Sequence, residues 1–303
     1  MSFIANNLIR SSGSLFVPSW GQTTVPNISG CSIATYGNDK FVATGYSSNI
    51  GVYSSDGITW NNTNAMPPGT VWNSIAYGNG AFVSIKSSGG VINPNSDAAY
   101  SVNGITWSQV TPPMVGPFSV AYGNGRFVCV GISNPIYGAY SFDGISWTSS
   151  SLVFGNWKSI TYGNGRFVAV ATNSSQAAYS TDGITWQYST IPISQTWTSI
   201  TYGNGRFVAV ASSSSQAAYS TDGITWNTST MPISNFWKSI TYGKGVFIAV
   251  ANATSRTIAA YSADGITWFT TNMPSNSNWN SITYGNGRFV AVASSSNNVA
   301  YTL

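Results

Sequence analysis

The sequence predicts an all-β protein, a single seven-bladed β-propeller over residues 1–303. Four-stranded antiparallel blades form a ring that is closed by an N-terminal outer strand completing the C-terminal blade. Three observations predict it. First, Tyr-Gly-Asn-Gly-x-Phe recurs with small variations, its tyrosine at Tyr36, Tyr77, Tyr122, Tyr162, Tyr202, Tyr242 and Tyr284, at spacings of 40 to 45 residues. Second, Asp-Gly-Ile-Thr-Trp and its variants end at Trp60, Trp107, Trp147, Trp186, Trp226 and Trp268, while Tyr301 stands where a seventh copy would begin. Third, Ile9 to Phe16 aligns with Tyr179 to Trp186, matching Gly13 to Gly183 and putting Phe16 in the tryptophan place, so residues 1 to about 20 finish the last blade.

Each element of the repeat follows in order. Ser-Ile-Thr-Tyr reads as the inner strand and Phe-Val-Ala-Val as the second, joined by a Gly-Asn-Gly turn. A Ser/Asn-rich loop leads to Ala-Ala-Tyr-Ser, the third strand. An Asp-Gly turn then leads to Ile-Thr-Trp, the expected fourth strand. Asn-Gly and Asp-Gly between β-rich runs are strong hairpin signals. Borrowing an N-terminal strand to finish a blade removes exposed sheet edges, whereas an open solenoid would carry polar caps instead.

Composition bears on function. Charged residues make up 6% of the chain against the usual quarter, and there is no histidine. All seven acids are aspartates: Asp39, Asp56, Asp97, Asp143, Asp182, Asp222 and Asp264. Without His or Glu, Ser-His-Asp and Cys-His sets and imidazole metal sites are missing, so the expectation is a protein that is not an enzyme and uses no cofactor or metal. Cys31 and Cys129 fall two units apart on internal strands, which argues against a disulfide. The N-terminus lacks a signal-peptide pattern, and no apolar run reaches membrane-spanning length.

The charges sort by position in the repeat. Lys40, Arg126, Arg166, Arg206, Lys244 and Arg288 share the hairpin face with Asp39, Asp56, Asp143, Asp182, Asp222 and Asp264, and that rim sums to zero. Each Asp is expected to accept hydrogen bonds from its own turn, and each Arg to lie over a neighbouring blade in seam-stabilising pairs. Arg10, Lys86, Lys158, Lys238 and Arg256 read as scattered, so neither a basic patch nor a nucleic-acid partner is expected.

Of the 12 tryptophans, the six in Asp-Gly-Ile-Thr-Trp are expected to pack between blades. Trp72, Trp157, Trp197, Trp237 and Trp279 open the inner strand on the opposite, loop face, where an indole either fills the seam or floors an inter-blade sugar pocket with Gln176 and Gln216 as polar partners. Blades 1 and 3 are expected to lack such a site, with Gly30 and Pro117 at that position.

At Ser180 to Trp186, and again at Ser220 to Trp226, Ser-Thr-Asp-Gly-Ile-Thr-Trp resembles the Asp-box, or BNR repeat, of sialidase-like propellers, one residue shorter between Asp and Gly. The resemblance implies a hairpin between the third and fourth strands of each blade. It does not imply sialidase activity, because the equivalent turn arginines form no triad and the glutamate of the nucleophile pair is missing. The functional expectation is an interaction or attachment module of a phage or virus particle, its partners being other structural proteins of the particle. The alternative is a multivalent lectin for cell-surface glycans. Location is expected to be virion or extracellular, without membrane insertion; the oligomeric state stays open.

Overall fold

The structure, a computed structural model, describes residues 16–45, 48–67, 72–86, 98–114, 116–132, 136–152, 154–252 and 257–303. Within them every regular element is a strand, and the strands form seven four-stranded antiparallel sheets. Blade 4 is representative: Trp157–Gly163, Arg166–Ala171, Ser174–Ser180 and Gln187–Gln195 pair in that order from the axis outward. The innermost strands contact one another from blade to blade, and Trp279–Gly285 of blade 7 reaches Cys31–Gly37 of blade 1, which closes the ring. The closure is made as expected, because Trp20–Thr24 pairs with Asn298–Thr302 as the outer strand of blade 7. Phe16 packs against Phe289 of that blade with ring centroids 6.1 Å apart, as Trp107 packs against Phe82 in blade 2 at 6.4 Å. The aligned residues Ile9 to Leu15, including Gly13, lie outside the described residues.

The core is a set of seams. Between blades 4 and 5, Val168, Val170, Ala177 and Ile191 meet Trp197, Ile200, Phe207, Ala209 and Trp226. The second strand, Phe-Val-Ala-Val-Ala, has no polar alternation because both of its faces are covered: Val168 and Val170 face the next blade, Phe167 and Ala169 the previous one. The hairpin turn puts Asn164 and Gly165 at φ 47° and 74°, the left-handed geometry that suits a two-residue turn between twisted strands.

Close approach accounts for the glycine before that turn. A Cβ on Gly163 would stand 2.0 Å from Cγ of Tyr202 in the next blade, and the same contact recurs around the ring to Gly285 and Tyr36. Only glycine admits the tyrosine ring there. Alongside, Asn164 Nδ2 donates to the Thr221 carbonyl of the next blade, as Asn79, Asn124, Asn204 and Asn286 do at their own seams.

One element differs from expectation. The fourth strand begins after the tryptophan, not at Ile-Thr-Trp. In blade 4 the N–H groups of Ile184 and Thr185 donate to Asp182 Oδ1 at 2.9 Å each, so those donors are unavailable to a strand ladder.

Candidate functional site

The five tryptophans singled out for a sugar platform begin the inner strands as expected, but Trp72, Trp157, Trp197, Trp237 and Trp279 are 0–1% exposed. Each lies in the seam with the preceding blade. The platform expectation is therefore corrected: no indole face is open to a ligand, and the seam-packing alternative describes them. Strand register also puts Cys31, not Gly30, at this position in blade 1, since Cys31 pairs with Gly45 as Trp157 pairs with Ala171. Gln176 is exposed and Gln216 half-buried, each near the start of a third strand. Gln176 pairs with Thr190 and Ala178 with Tyr188, so Gln176 and the partly exposed Tyr188 are diagonal neighbours on one face of blade 4. Blade 5 has Thr228 in the place of Tyr188.

The hairpin face is committed to structure. Asp56 Oδ1 accepts from the N–H groups of Ile58 and Thr59 at 2.8 Å and from the Ser54 hydroxyl at 2.9 Å. Desolvation opposes its charged form, but these donors outweigh it and hold its pKa at about 2. Asp222 is likewise at about 2, and Asp143, Asp182 and Asp264 are also lowered. Blade 2 makes the same turn with Asn103, whose Oδ1 accepts from Ile105 and Thr106 at 2.8 and 2.9 Å. An oxygen acceptor, rather than a charge, is what the turn requires.

The arginines do cross the seams, but not to the carboxylates. Arg166 donates to the Asp222 backbone carbonyl at 2.8 Å, Arg206 to that of Asp264 at 2.7 Å, and Arg288 to that of Asp56 at 2.9 Å. In Asp56, Asp222 and Asp264 Oδ1 is engaged by the residue's own turn, while the guanidinium of the preceding blade takes the backbone carbonyl.

The channel holds what sequence reasoning missed. Every inner hairpin has a β-bulge at the second residue of the inner strand, the x of Trp-x-Ser-Ile. The ladder does not pair that residue, and a bulge re-aims its side chain. The seven bulged residues are Ser32, Asn73, Phe118, Lys158, Thr198, Lys238 and Asn280. Their contacts run around the inner wall. Lys158 Nζ lies 3.6 Å from the ring centroid of Phe118, Thr198 Oγ1 donates to the Trp237 carbonyl at 2.8 Å, and Asn280 Nδ2 donates to the Ser32 carbonyl.

Lys158 and Lys238, two blades apart, are therefore not scattered. Burial pushes the Lys158 pKa down to about 8 with repulsion from Lys238 adding to it, and burial lowers Lys238 as well. The signal was available in the sequence: x is the variable place within the Trp-x-Ser-Ile that blades 2, 4, 5, 6 and 7 share. Arg10, Asp97 and Arg256 lie outside the described residues.

No family model and no curated protein matches the chain. Solved structures do. A structure described as YCF48 bound to D1 peptide is 16% identical with a TM-score of 0.71, covering 96% of this chain and 98% of its own. A streptogramin B lyase is 12% identical with a TM-score of 0.80, covering 93% and 97%. Virginiamycin B lyase from Staphylococcus aureus is 13% identical with a TM-score of 0.78, covering 94% and 99%. What these likenesses establish is the seven-bladed ring.

They also correct one expectation. The sequence reading excluded an enzyme, yet lyases are built on the same ring, so the exclusion does not stand. At this identity the likeness carries the fold and no reaction. Among the described residues no group of three His, Cys, Asp or Glu side chains is placed to hold a metal, and no helix is long and apolar enough to cross a membrane.

Proposed function

We propose that the chain is an interaction and attachment module on the surface of a phage or virus particle, contacting a receptor or other structural proteins through its loop face. The observation that carries this reading is a pair of exposed aromatic side chains beside inner-strand starts: Phe154, 72% exposed, and Phe236, 54% exposed. Exposed aromatics on a surface with few charges suit a contact patch, and Phe142 and Phe269 are further exposed side chains elsewhere on the propeller. The Ser-x-Asp-Gly-x-x-Trp turns are read as Asp-boxes of the sialidase-like kind, a likeness of architecture. Virion location rests on composition: a nearly uncharged, repeated ring suits a particle exterior.

Antibody against the purified protein should label particles from the source culture in immunogold microscopy, and Phe154→Ala with Phe236→Ala should weaken binding to susceptible cells at least tenfold without changing the thermal midpoint. Unlabelled particles, or unchanged binding by the double variant, would remove the reading.

A glycan-binding reading is favoured by one specific feature, the Gln176–Tyr188 pair of blade 4, an aromatic ring with an amide beside it. Because blade 5 has Thr228, this supports one site rather than a repeated set, and the avidity of a multivalent lectin is not part of it. A glycan-array signal lost in Tyr188→Ala would support it, and a blank array would discard it.

A further inference from the structure

The bulged residues at the loop-face mouth of the channel include two lysines, and among the described residues no carboxylate lies at that end of the inner strands. Lys158 and Lys238 repel each other, and the partner of the Lys158 ammonium among the described residues is the face of Phe118. The described aspartates all lie in hairpin turns at the other end of the inner strands. From Lys158 to the turn is five residues of strand, about 16 Å at roughly 3.3 Å each, which exceeds a Debye length of about 8 Å at physiological salt. Those acids are too far away to balance the two ammonium groups.

A further donor in the same ring lacks an acceptor: Asn73 Nδ2 is buried and has no hydrogen-bond partner among the described residues. The equivalent amide of Asn280 is satisfied by the Ser32 carbonyl, and the Thr198 hydroxyl by the Trp237 carbonyl, so lack of a partner is not a general property of the position. Two partly desolvated like charges and an amide donor without an acceptor are each unfavourable, and an anion would relieve all three.

We infer that the loop-face mouth of the central channel is a binding site for a tetrahedral oxyanion, sulfate or phosphate, free or as an ester on a larger ligand, held between Lys158 and Lys238 with Asn73 as a neutral donor. This stands apart from the attachment reading, since it concerns the channel wall rather than the exposed aromatics. Bound anion supplies the opposite charge that the pair lacks, so it should return the lysine pKa values towards the ordinary range. Affinity should then fall as pH rises through about 8, where the empty site loses the Lys158 proton.

Sulfate is the direct probe because it does not titrate near neutral pH. Calorimetry on the full chain at constant ionic strength should give saturable sulfate binding at pH 7 that weakens about tenfold or more by pH 9.5. Lys158→Met and Lys238→Met should each weaken it at least tenfold, while Lys40→Met on the hairpin face leaves it unchanged. Removing a desolvated charge should not unfold the ring, and the thermal midpoint of each variant, expected at or above that of the parent, checks this. A sugar 6-sulfate binding more tightly than free sulfate would assign the site to an ester-bearing ligand, and equal affinities would assign it to the free ion. No saturable binding, an effect matched by chloride, or undiminished binding by the Lys158→Met/Lys238→Met variant would overturn the inference.

Discussion

The two ends of the ring are built from the same repeat and use it in opposite ways. At the hairpin end the repeated polar groups find partners within their own turn or across one seam: Asp182 in its turn, Asn164 Nδ2 at the Thr221 carbonyl, Arg166 at the Asp222 carbonyl, although Nε of Arg126, Arg166 and Arg206 is buried without a partner among the described residues. At the channel mouth the bulge frees one residue per blade from the ladder, and there Ser, Asn, Phe, Lys and Thr take turns. Positions that the seam constrains repeat, and the position that it releases varies. Charge follows the same division, balanced at the hairpin end and unbalanced at the mouth.

The sharpest way to break this contrast is at the glycine under the tyrosine. Gly203→Ala places a Cβ 2.0 Å from Cγ of Tyr242, against a ring held between two blades, and should destabilise by about 3 kcal/mol or more. Thr198→Ala, at the bulge of the same strand, removes a hydroxyl whose one proton lies within reach of the Trp237 and Val210 carbonyls and should cost about 1 kcal/mol. Urea denaturation of the pair measures the difference. Equal losses would mean that the bulge is as constrained as the seam.

How much of this was legible in the sequence follows from the same division. The period of the tyrosines and the Asp-Gly turns gave blade number and order, because seam contacts demand identical residues at each step. The place of Phe16 in the last blade was legible from its alignment with the tryptophans of the other blades, and its ring packs on Phe289 as that of Trp107 does on Phe82. The start of the outer strand was not, because Asp182 diverts the N–H groups of Ile184 and Thr185 from the ladder, and an Ile-Thr-Trp run looks like strand whether or not its donors are engaged. Nor was the burial of Trp197: its position on the loop face was read correctly, but periodicity does not say whether an indole turns outward or into the seam. Lys158 and Lys238 come within electrostatic influence of each other only through the ring, since they occupy the same bulge position two blades apart.

A smaller effect tests whether the hairpin end needs charge. Asp222→Ala removes the acceptor for Ile224, Thr225 and the Ser220 hydroxyl and should cost about 1–2 kcal/mol by chemical denaturation. Asp222→Asn should recover most of that loss, as Asn103 serves in blade 2. The pH profile carries the sign. Asp56 and Asp222 have folded pKa values near 2, below the unfolded value near 4, so their contribution is complete above about pH 4 and is lost as pH falls through about 2. Thermal midpoints should therefore fall between pH 4 and pH 2, and less steeply in Asp222→Asn. Identical acid slopes would mean that the carboxylate of this turn makes no pH-dependent contribution.

The smallest expected change has the opposite sign. Lys158 titrates near 8 in the folded chain and near 10.5 when unfolded, so between those values the unfolded state holds the proton more tightly and stability rises with pH; below about 8 the full penalty of burying the charge is present. Lys158→Met removes that penalty while keeping a side chain of similar length against Phe118. After allowance for partial exposure, the variant should be more stable than the parent at pH 7 by on the order of 1 kcal/mol, with the gain shrinking towards pH 10. Thermal midpoints at pH 7 and pH 10, in chloride buffers free of sulfate and phosphate, measure it. A variant less stable at pH 7 would show that Lys158 is held by the fold as Asp222 is, and the division between the two ends of the ring would fail at its most charged position.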